Sequence, residues 1–457
     1  MSTVVSVVSS APLTAGQATP VPIRSSHDRE IARLAVPAFG ALVAEPLYVL
    51  ADTAVVGRIG TDELAGLAVA SSALLTGYAI FIFLAYGTTA AVSRLLGAGR
   101  EGSAAHQAVQ GLWLAGVIGV VMTALVLGFA DPIVELLGGT GAVRTNALVY
   151  LRISAIGITF QLLTFAGTGY LRGLQDTRTP LLVAIGAAVA NLVIELVLIN
   201  GLGYGIGASA LSTVIAQAGG ALVYLRLITT ATSRLGAALR PDWSAIRRLG
   251  RAGWDLLVRT LALRMSLTLF TAIAARIGAE EVGAHEIAFA IWSLLALALD
   301  AIAIAGQAMV GRFLGAGDVG TARQVGRRML ELGTVAGIFA GAIVLIGRPV
   351  LPDIFSNDPD VLHLAGFLLL FVAVLQPVNG AVFVLDGLLI GAGDMSFLAK
   401  AMVGAALLTA PVAIAVALLG LGIGWVWGAI TVLMLARLGV LALRWRSGAW
   451  AVVGAER

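Results

Sequence analysis

Long apolar runs alternate along the chain with short polar or glycine-containing segments. A helix needs roughly 20 apolar residues to cross the hydrocarbon layer of a bilayer. Twelve runs reach about this length, and the predicted spans lie near residues 33–58, 64–95, 104–130, 145–170, 179–200, 206–230, 249–277, 284–312, 321–346, 361–391, 396–420 and 424–446. The pattern therefore predicts an all-α polytopic membrane protein with twelve transmembrane helices.

The amino-acid composition excludes several classes of protein and several kinds of site. The chain is 59% hydrophobic and only 12% charged, with a mean hydropathy of +0.97, which excludes an ordinary globular protein. It contains no Cys, so thiol catalysis, cysteine metal sites and disulfides are excluded. Its histidines show no metal-ligand spacing, so no metal site is expected. Basic residues are spread between the spans, which argues against a nucleic-acid partner.

The distribution of charge and small polar residues predicts the domain organisation. Residues 1–27 are expected to be a mobile tail. Two lobes of six spans each follow at 28–230 and 249–446, joined by a linker at 231–248 and followed by a tail at 447–457. Arg and Lys are concentrated in the loops on one side of the predicted spans, so both termini are expected to be cytoplasmic.

The two halves carry matching segments. SRLLGAGRE at 93–101 aligns with GRFLGAGDV at 311–319, GRIG at 57–60 with ARIG at 275–278, and GLQD at 173–176 with GAGD at 391–394. All three pairs share an offset of 218 residues, for example 311 minus 93. Because each half has an even number of spans, both enter the membrane from the same side. This predicts a pseudo-two-fold axis along the membrane normal, an arrangement typical of secondary transporters.

Two of the predicted spans in the first half carry acids. Asp52 lies in the first span, and an intramembrane carboxylate is a functional candidate by default. The alternative is a buried aspartate that is hydrogen-bonded to a neighbouring helix. Asn191 and Glu195 are four residues apart, so they share one helix face; for Glu195 the alternative is permanent protonation. Pro37 either kinks the first helix or acts as a hinge.

The second half carries five deep charges. Asp255 and Arg259 have the spacing of an ion pair within one helix. Arg264 lies a further turn along, with Asp300 or Asp386 as its expected partner. These charges either hold the lobe together or take part in coupling. Because the acids of the first half have no base at comparable depth, we place the titrating site there.

Several motifs together resemble those of the multidrug and toxic compound extrusion (MATE) transporters, and within them the DinF-like branch. The motifs are Pro37 followed by ADTAVVGRIG at 51–60, the two LGAG loops, YLRGLQDTRTP at 170–180, NLVIE at 191–195 and LDGLLIGAGD at 385–394. The resemblance covers nearly the whole chain after the tail. It implies a V-shaped pair of six-helix lobes that exports amphipathic, often cationic compounds in exchange for protons, or alternatively sodium ions.

The resemblance also implies roles for individual residues. The family's cation or proton site matches Tyr48, Asp52, Asn191, Glu195 and Thr213, with Pro37 as the helix-bending residue. Glu195 stands where Asp is common, and Thr168 stands where some members have Asn. No cofactor is implied beyond the coupling ion.

We expect substrate to bind between the lobes in a cavity with apolar and aromatic walls. The candidates for its lining are Tyr48, Phe165, Thr168, Met265, Phe289 and Trp292. The expected protein is a monomeric drug antiporter in a bacterial cytoplasmic membrane, not an enzyme. A flippase for a lipid-linked precursor, an integral-membrane enzyme and a passive channel remain as alternatives.

The matched loops at 94–101 and 312–318 generate a first test. Two parallel repeats place them at equivalent positions on the cytoplasmic side. Cysteine introduced at Gly99 or at Gly317 is therefore expected to react with an impermeant thiol reagent only from the cytoplasm. Reaction of either residue from outside would invert the topology.

Overall fold

The computed structural model of the protein describes residues 27–202 and 204–455, except for the side chain of Asn200. These residues form fourteen α-helices and no strand. The helices are α1 (Asp28–Val56), α2 (Thr61–Phe81), α3 (Phe83–Gly97), α4 (Glu101–Gly128), α5 (Ala130–Leu136), α6 (Gly141–Gly173), α7 (Arg178–Leu196), α8 (Ile206–Arg234), α9 (Trp243–Ile277), α10 (Ala279–Gly315), α11 (Val319–Gly347), α12 (Pro359–Gly391), α13 (Met395–Leu418) and α14 (Ile423–Ser447).

Twelve helical segments in this part of the chain are long and apolar enough to cross a membrane, which confirms the predicted fold class. Helices α2 and α3 form one span, Thr61–Gly97, whereas α5 is too short to cross. A π-helical turn, Val197–Gly201, continues α7, and a 3-10 turn, Pro352–Ile354, precedes α12. Helix also extends into both ends of the predicted linker, and the side chain of Asp242 caps α9.

Close helix packing within each lobe follows the repeat seen in the sequence. On α6, a Cβ added to Gly169 would lie 2.5 Å from the carbonyl oxygen of Ala85 on α3. On α12, a Cβ added to Gly387 would lie 2.4 Å from the carbonyl oxygen of Ala303 on α10. Both residues of the second pair lie 218 positions after those of the first (387 minus 169, 303 minus 85). The halves are therefore equivalent in packing as well as in sequence.

The lobes meet where α3 and α10 cross. A Cβ on Gly97 would lie 1.8 Å from the carbonyl oxygen of Arg312, and one on Gly315 would lie 2.0 Å from that of Arg94. These four residues are also related by the offset of 218 (315 minus 97, 312 minus 94). We call this end of the molecule the crossing end. Only glycine allows the two backbones to approach this closely.

Two arginines join the lobes at the crossing end. Arg94 of the first lobe is buried and donates hydrogen bonds to the backbone carbonyls of Ala392, Val452 and Gly454 in the second. Its repeat partner, Arg312 of the second lobe, donates a hydrogen bond to the side-chain oxygen of Gln175 in the first lobe. The molecule is therefore closed at this end.

Helix α1 is attached to both lobes. In its first turn, Asp28 forms an ion pair with Arg328 at 2.8 Å, and Glu30 forms one with Arg312 at 2.9 Å. Both arginines belong to the second lobe. Farther along, α1 packs within the first lobe against α7 and contributes Asp52 to its interior. Pro37 lies between these two attachments, and Pro46 is a second proline inside the helix.

The close crossing generates a stability test. Gly97→Ala is expected to push α3 and α10 apart and to lower the free energy of unfolding by about 1–3 kcal/mol. Gly116→Ala is the matched control, because nothing lies within 4 Å of a Cβ at that position on α4. The control should leave stability unchanged or raise it by up to about 1 kcal/mol. Thermal unfolding midpoints in detergent measure both, and equal midpoints would contradict the assigned packing.

The structure also refines the accessibility test. Gly99 and Gly317 have φ angles of 71° and 80°, which side chains other than glycine adopt at a cost. The adjacent pair, Ala98 and Ala316, has ordinary negative φ angles of −77° and −74°. Cysteine at this pair probes the same two loops without backbone strain.

Candidate functional site

A cluster of polar side chains lies inside the first lobe, toward the end opposite the crossing end. Asp52 on α1 is only 4% exposed. One of its carboxylate oxygens accepts a hydrogen bond of 2.6 Å from Ser209 on α8. The other accepts a longer one, 3.5 Å, from Tyr150 on α6. Three helices therefore converge on this carboxyl.

The carboxyl of Glu195 lies beside that of Asp52. Glu195 is 0% exposed, and neither of its carboxylate oxygens has a hydrogen-bond partner among the described residues. A buried carboxylate without a donor is costly unless a proton or a cation neutralises it. The pair of acids is therefore suited to binding one or the other. Glu195 is the last but one residue of α7, two positions before the π-helical turn begins.

The remaining predicted site residues adjoin this pair. Asn191 donates hydrogen bonds of 3.2 and 3.1 Å to the hydroxyls of Ser212 and Thr213. The hydroxyls of Thr213 and Tyr48 are 2.7 Å apart. The side-chain oxygen of Asn191 has no partner in the part of the chain that is described. The structure thus brings all five predicted coupling residues into one cluster.

Three members of the cluster were not identified from the sequence: Tyr150, Ser209 and Ser212. Hydroxyls are common in membrane helices and carry no charge that would single them out. Ser209 and Ser212 do precede Thr213 on one helix, so spacing along α8 could have suggested them.

The described residues of the second lobe form no equivalent cluster. Positions 218 residues after Asp52 and Glu195 hold Phe270 and Ala413, both buried. Helices α8 and α14 begin 217 residues apart (423 minus 206), so Val426 occupies the position of Ser209. Apolar side chains therefore stand at the positions that are equivalent to the acid pair and to Ser209.

A cavity of about 250 Å³ opens beside the acid cluster and is lined only by residues of the first lobe. Of the predicted lining, Tyr48, Phe165 and Thr168 do face it. Its walls are mostly apolar. The polar and aromatic residues of the lining are Glu45, Tyr48, Asp52, Ser71, Tyr78, Tyr150, Ser154, Gln161, Thr164, Phe165, Thr168, Arg172, Asn191, Thr213, Gln217 and Tyr224.

The other predicted lining residues lie elsewhere. Met265 on α9 is 71% exposed, and it does not line this cavity. Phe289 and Trp292 on α10 pack in an aromatic group with His285, with ring centroids 5.5 Å apart for Phe289–Trp292 and 5.9 Å for Phe289–His285. The cavity lies within one lobe instead of between the two, so residues of α9 and α10 cannot reach it.

Two charged lining residues were missed. Arg172 is only 7% exposed and lines the cavity near the crossing end, although the sequence placed it in a loop. Glu45 lines the wall formed by α1. Its position seven residues before Asp52 put it on the same helix face, and this spacing could have identified it.

The charges of the second lobe form a different network from the predicted one. Asp386 on α12 accepts hydrogen bonds of 2.5 Å from both Arg259 and Arg437. The predicted pair between Asp255 and Arg259 is therefore wrong, because Arg259 extends across to α12. Arg437, which lies inside α14 ten residues before its end (447 minus 437), was not among the predicted members of this network.

The two other predicted members of this network are also placed differently. Arg264 is exposed and forms no ion pair among the described residues, so neither Asp300 nor Asp386 is its partner. Asp300 instead accepts a hydrogen bond of 3.1 Å from Tyr86, which crosses from the first lobe.

Comparison with known proteins agrees with this architecture. The MatE family profile matches residues 37–197 and 256–415, one segment in each lobe. The chain is 32% identical to Protein DETOXIFICATION 44, chloroplastic, of Arabidopsis thaliana over 92% of this chain and 83% of that protein. It is 28% identical to DNA damage-inducible protein F of Escherichia coli strain K12 over 93% of this chain and 94% of that protein.

A solved structure has the same fold. The crystal structure of MATE in the bent conformation superposes with a TM-score of 0.84 at 19% identity, covering 93% of this chain and 95% of that one. Sequence profile, relatives and fold agree over both lobes. The chain therefore belongs to the MatE family, the multidrug and toxic compound extrusion transporters.

Proposed function

We propose that the protein is a secondary active multidrug exporter that antiports amphipathic, cationic organic compounds against protons by alternating access. The observation that carries this proposal is the buried pair of Asp52 and Glu195 at the wall of an apolar cavity. A cavity of this kind suits varied amphipathic compounds, because most of its surface is apolar while hydroxyl, amide and carboxyl groups are spread along it. Membership of the MATE family supports export as the direction.

The acid pair is the proposed coupling site. When both carboxyls are ionised, their repulsion and their burial disfavour the pair. A proton that enters from the end opposite the crossing end neutralises it. Asp52 lies four residues before the end of α1, and Ser209 lies in the first turn of α8, so the path from that end is short.

Helix α1 is the proposed link between proton and drug. Its first turn is attached to the second lobe through Asp28 and Glu30, and its last turns carry Asp52. Relief of the repulsion at Asp52 lets the intervening segment bend at Pro37, which narrows the cavity and releases the drug. Proton and drug then exclude each other through the lobe's conformation, and such coupling is reciprocal at equilibrium.

The proposed orientation places the crossing end in the cytoplasm of a bacterial cell, with both termini cytoplasmic. The density of arginines at that end supports this by the positive-inside rule. In this orientation the buried acid pair lies toward the outer end of the first lobe. The protein works as a monomer in this proposal.

Sodium is the alternative coupling ion. Four oxygens could contribute to its coordination: both of Glu195, the side-chain oxygen of Asn191 and one of Asp52. Ser209 and Tyr150, however, already donate hydrogen bonds to Asp52. These donors are positioned to support a carboxyl that gains and loses a proton. A flippase for a lipid-linked precursor has less support, because Arg172 is the one basic residue in the described lining.

Asp52→Asn tests the coupling site. The amide imitates the neutral acid, so the variant is expected to remain folded but to lose gradient-driven efflux of a fluorescent cation from vesicles. Asp131→Asn is the control, since Asp131 pairs with Arg144 and Arg152 at an exposed site and does not line the cavity. Efflux at the normal rate in the Asp52 variant would make Asp52 structural and the mechanism wrong.

We further propose that the network around Asp386 is structural and takes no part in coupling. Asp386→Asn leaves two buried guanidinium groups without their carboxylate, so a loss of about 3–5 kcal/mol in stability is expected. Asp255→Asn, which removes no described ion pair, should change stability by less than about 0.5 kcal/mol. Unfolding midpoints compare the two. A stable Asp386 variant that fails only in coupling would assign this network to the mechanism instead.

A further inference from the structure

Glu45 is a cavity residue that the coupling mechanism does not use. It lies on α1 seven positions before Asp52, and seven positions are almost two helical turns. Glu45 and Asp52 therefore face the same way, into the cavity that both line. Leu47 and Leu50, which point away from this face, are 60% and 66% exposed on the outer surface of the helix.

The carboxyl of Glu45 has no protein partner. Within residues 27–202 and 204–455 it forms neither an ion pair nor a hydrogen bond. Among the other acids inside the lobes, Asp52 accepts from two hydroxyls, Asp300 from one and Asp386 from two arginines, and Glu195 shares with Glu45 the lack of a hydrogen-bond partner among the described residues. Glu45 is also accessible from the cavity, whereas Glu195 is sealed.

The nearest basic residue in the same cavity lies far from Glu45. The bond between Tyr48 and Thr213 fixes the register of α1 against α8, and it places Gln217 at the level of Glu45. On α8, Tyr224 is seven residues closer to the crossing end, where it bonds Thr168. Arg172 is a further turn beyond Thr168, so it lies on the order of 16 Å from the level of Glu45 along the helix axes.

The surroundings of Glu45 suit an organic cation. Gln217 donates a hydrogen bond of 3.5 Å to the phenol of Tyr78, and Phe165 lines the same cavity. Aromatic faces attract cations, and the attraction rises as water is excluded. An accessible carboxylate beside aromatic and apolar walls supplies both the charge and the contact area that such a ligand requires.

We propose that Glu45 is the specificity-determining residue that pairs with the cationic centre of the transported compound. This inference rests on the proposed function and adds the substrate's charge to it. Drug and coupling ion then use different carboxyls, about 10 Å apart along α1. The drug is held by Glu45, while the ion is held by Asp52 and Glu195.

Equilibrium binding of tetraphenylphosphonium, a permanent lipophilic cation, tests the assignment on purified protein. Glu45→Gln is expected to weaken binding at least tenfold, and Glu45→Asp, which keeps the charge on a shorter side chain, should weaken it less. Glu286→Gln removes an exposed glutamate of α10 that does not line the cavity, and it should bind like the wild type.

Transport kinetics separate this role from a role in proton transfer. In vesicles, Glu45→Gln should raise the KM for tetraphenylphosphonium efflux and leave kcat nearly unchanged. A reduced kcat with unchanged binding would make Glu45 a proton relay and would overturn the proposal. Unchanged binding in both Glu45 variants, or a loss confined to Glu286→Gln, would overturn it too.

The same measurements distinguish an error in the proposed function from an error in the role of Glu45. If the wild type neither binds nor exports tetraphenylphosphonium or ethidium, the proposal that it exports organic cations is wrong. The proposed role of Glu45 is then wrong as well. If the wild type binds and exports them while the Glu45 variants match it, only the role of Glu45 is wrong.

Discussion

Burial of two neighbouring carboxyls in a membrane protein is the constraint on which the rest of the structure depends. Water is excluded from Glu195, and no donor among the described residues replaces it. The site is therefore favourable only when a proton or a cation is bound, or when the lobe changes shape. Hydroxyls on α6 and α8 hydrogen-bond Asp52, and in the proposed mechanism a change of charge at Asp52 therefore acts on α1, the helix that carries it. Its far end is attached to the other lobe.

The two lobes meet the same packing requirements with different interiors. Glycines at matched positions allow the same close helix contacts in both halves. Where the first lobe buries acids, the second buries Phe270 and Ala413, and its own deep acid, Asp386, is neutralised by two arginines. The repeats therefore share their helix packing but differ in the polar groups they bury, which is why we propose the coupling site in the first lobe alone.

Much of this architecture could be predicted from the sequence, because span length, charge bias and the repeat offset are properties of local segments. The clustering of the five residues proposed for coupling could also be expected, since motif resemblance and i, i+4 spacing identify faces of single helices. Contacts between helices that are distant in the sequence could not be predicted in this way. Arg259 had two possible partners, and only the packing of α9 against α12 and α14 favours Asp386 over Asp255. Sequence does not reveal where helices leave space, and the described cavity opens within the first lobe whereas the predicted one lay between the lobes. Phe289 and Trp292 therefore do not line it.

The central claim is that the acid pair exchanges its proton for the drug. Proton release on addition of tetraphenylphosphonium to weakly buffered, sodium-free protein tests it most directly. The account predicts release of about one proton per bound cation by the wild type, as linkage requires. It predicts none from a variant that carries both Asp52→Asn and Glu195→Gln. Equal release by that variant, or binding by the wild type without release, would contradict the claim.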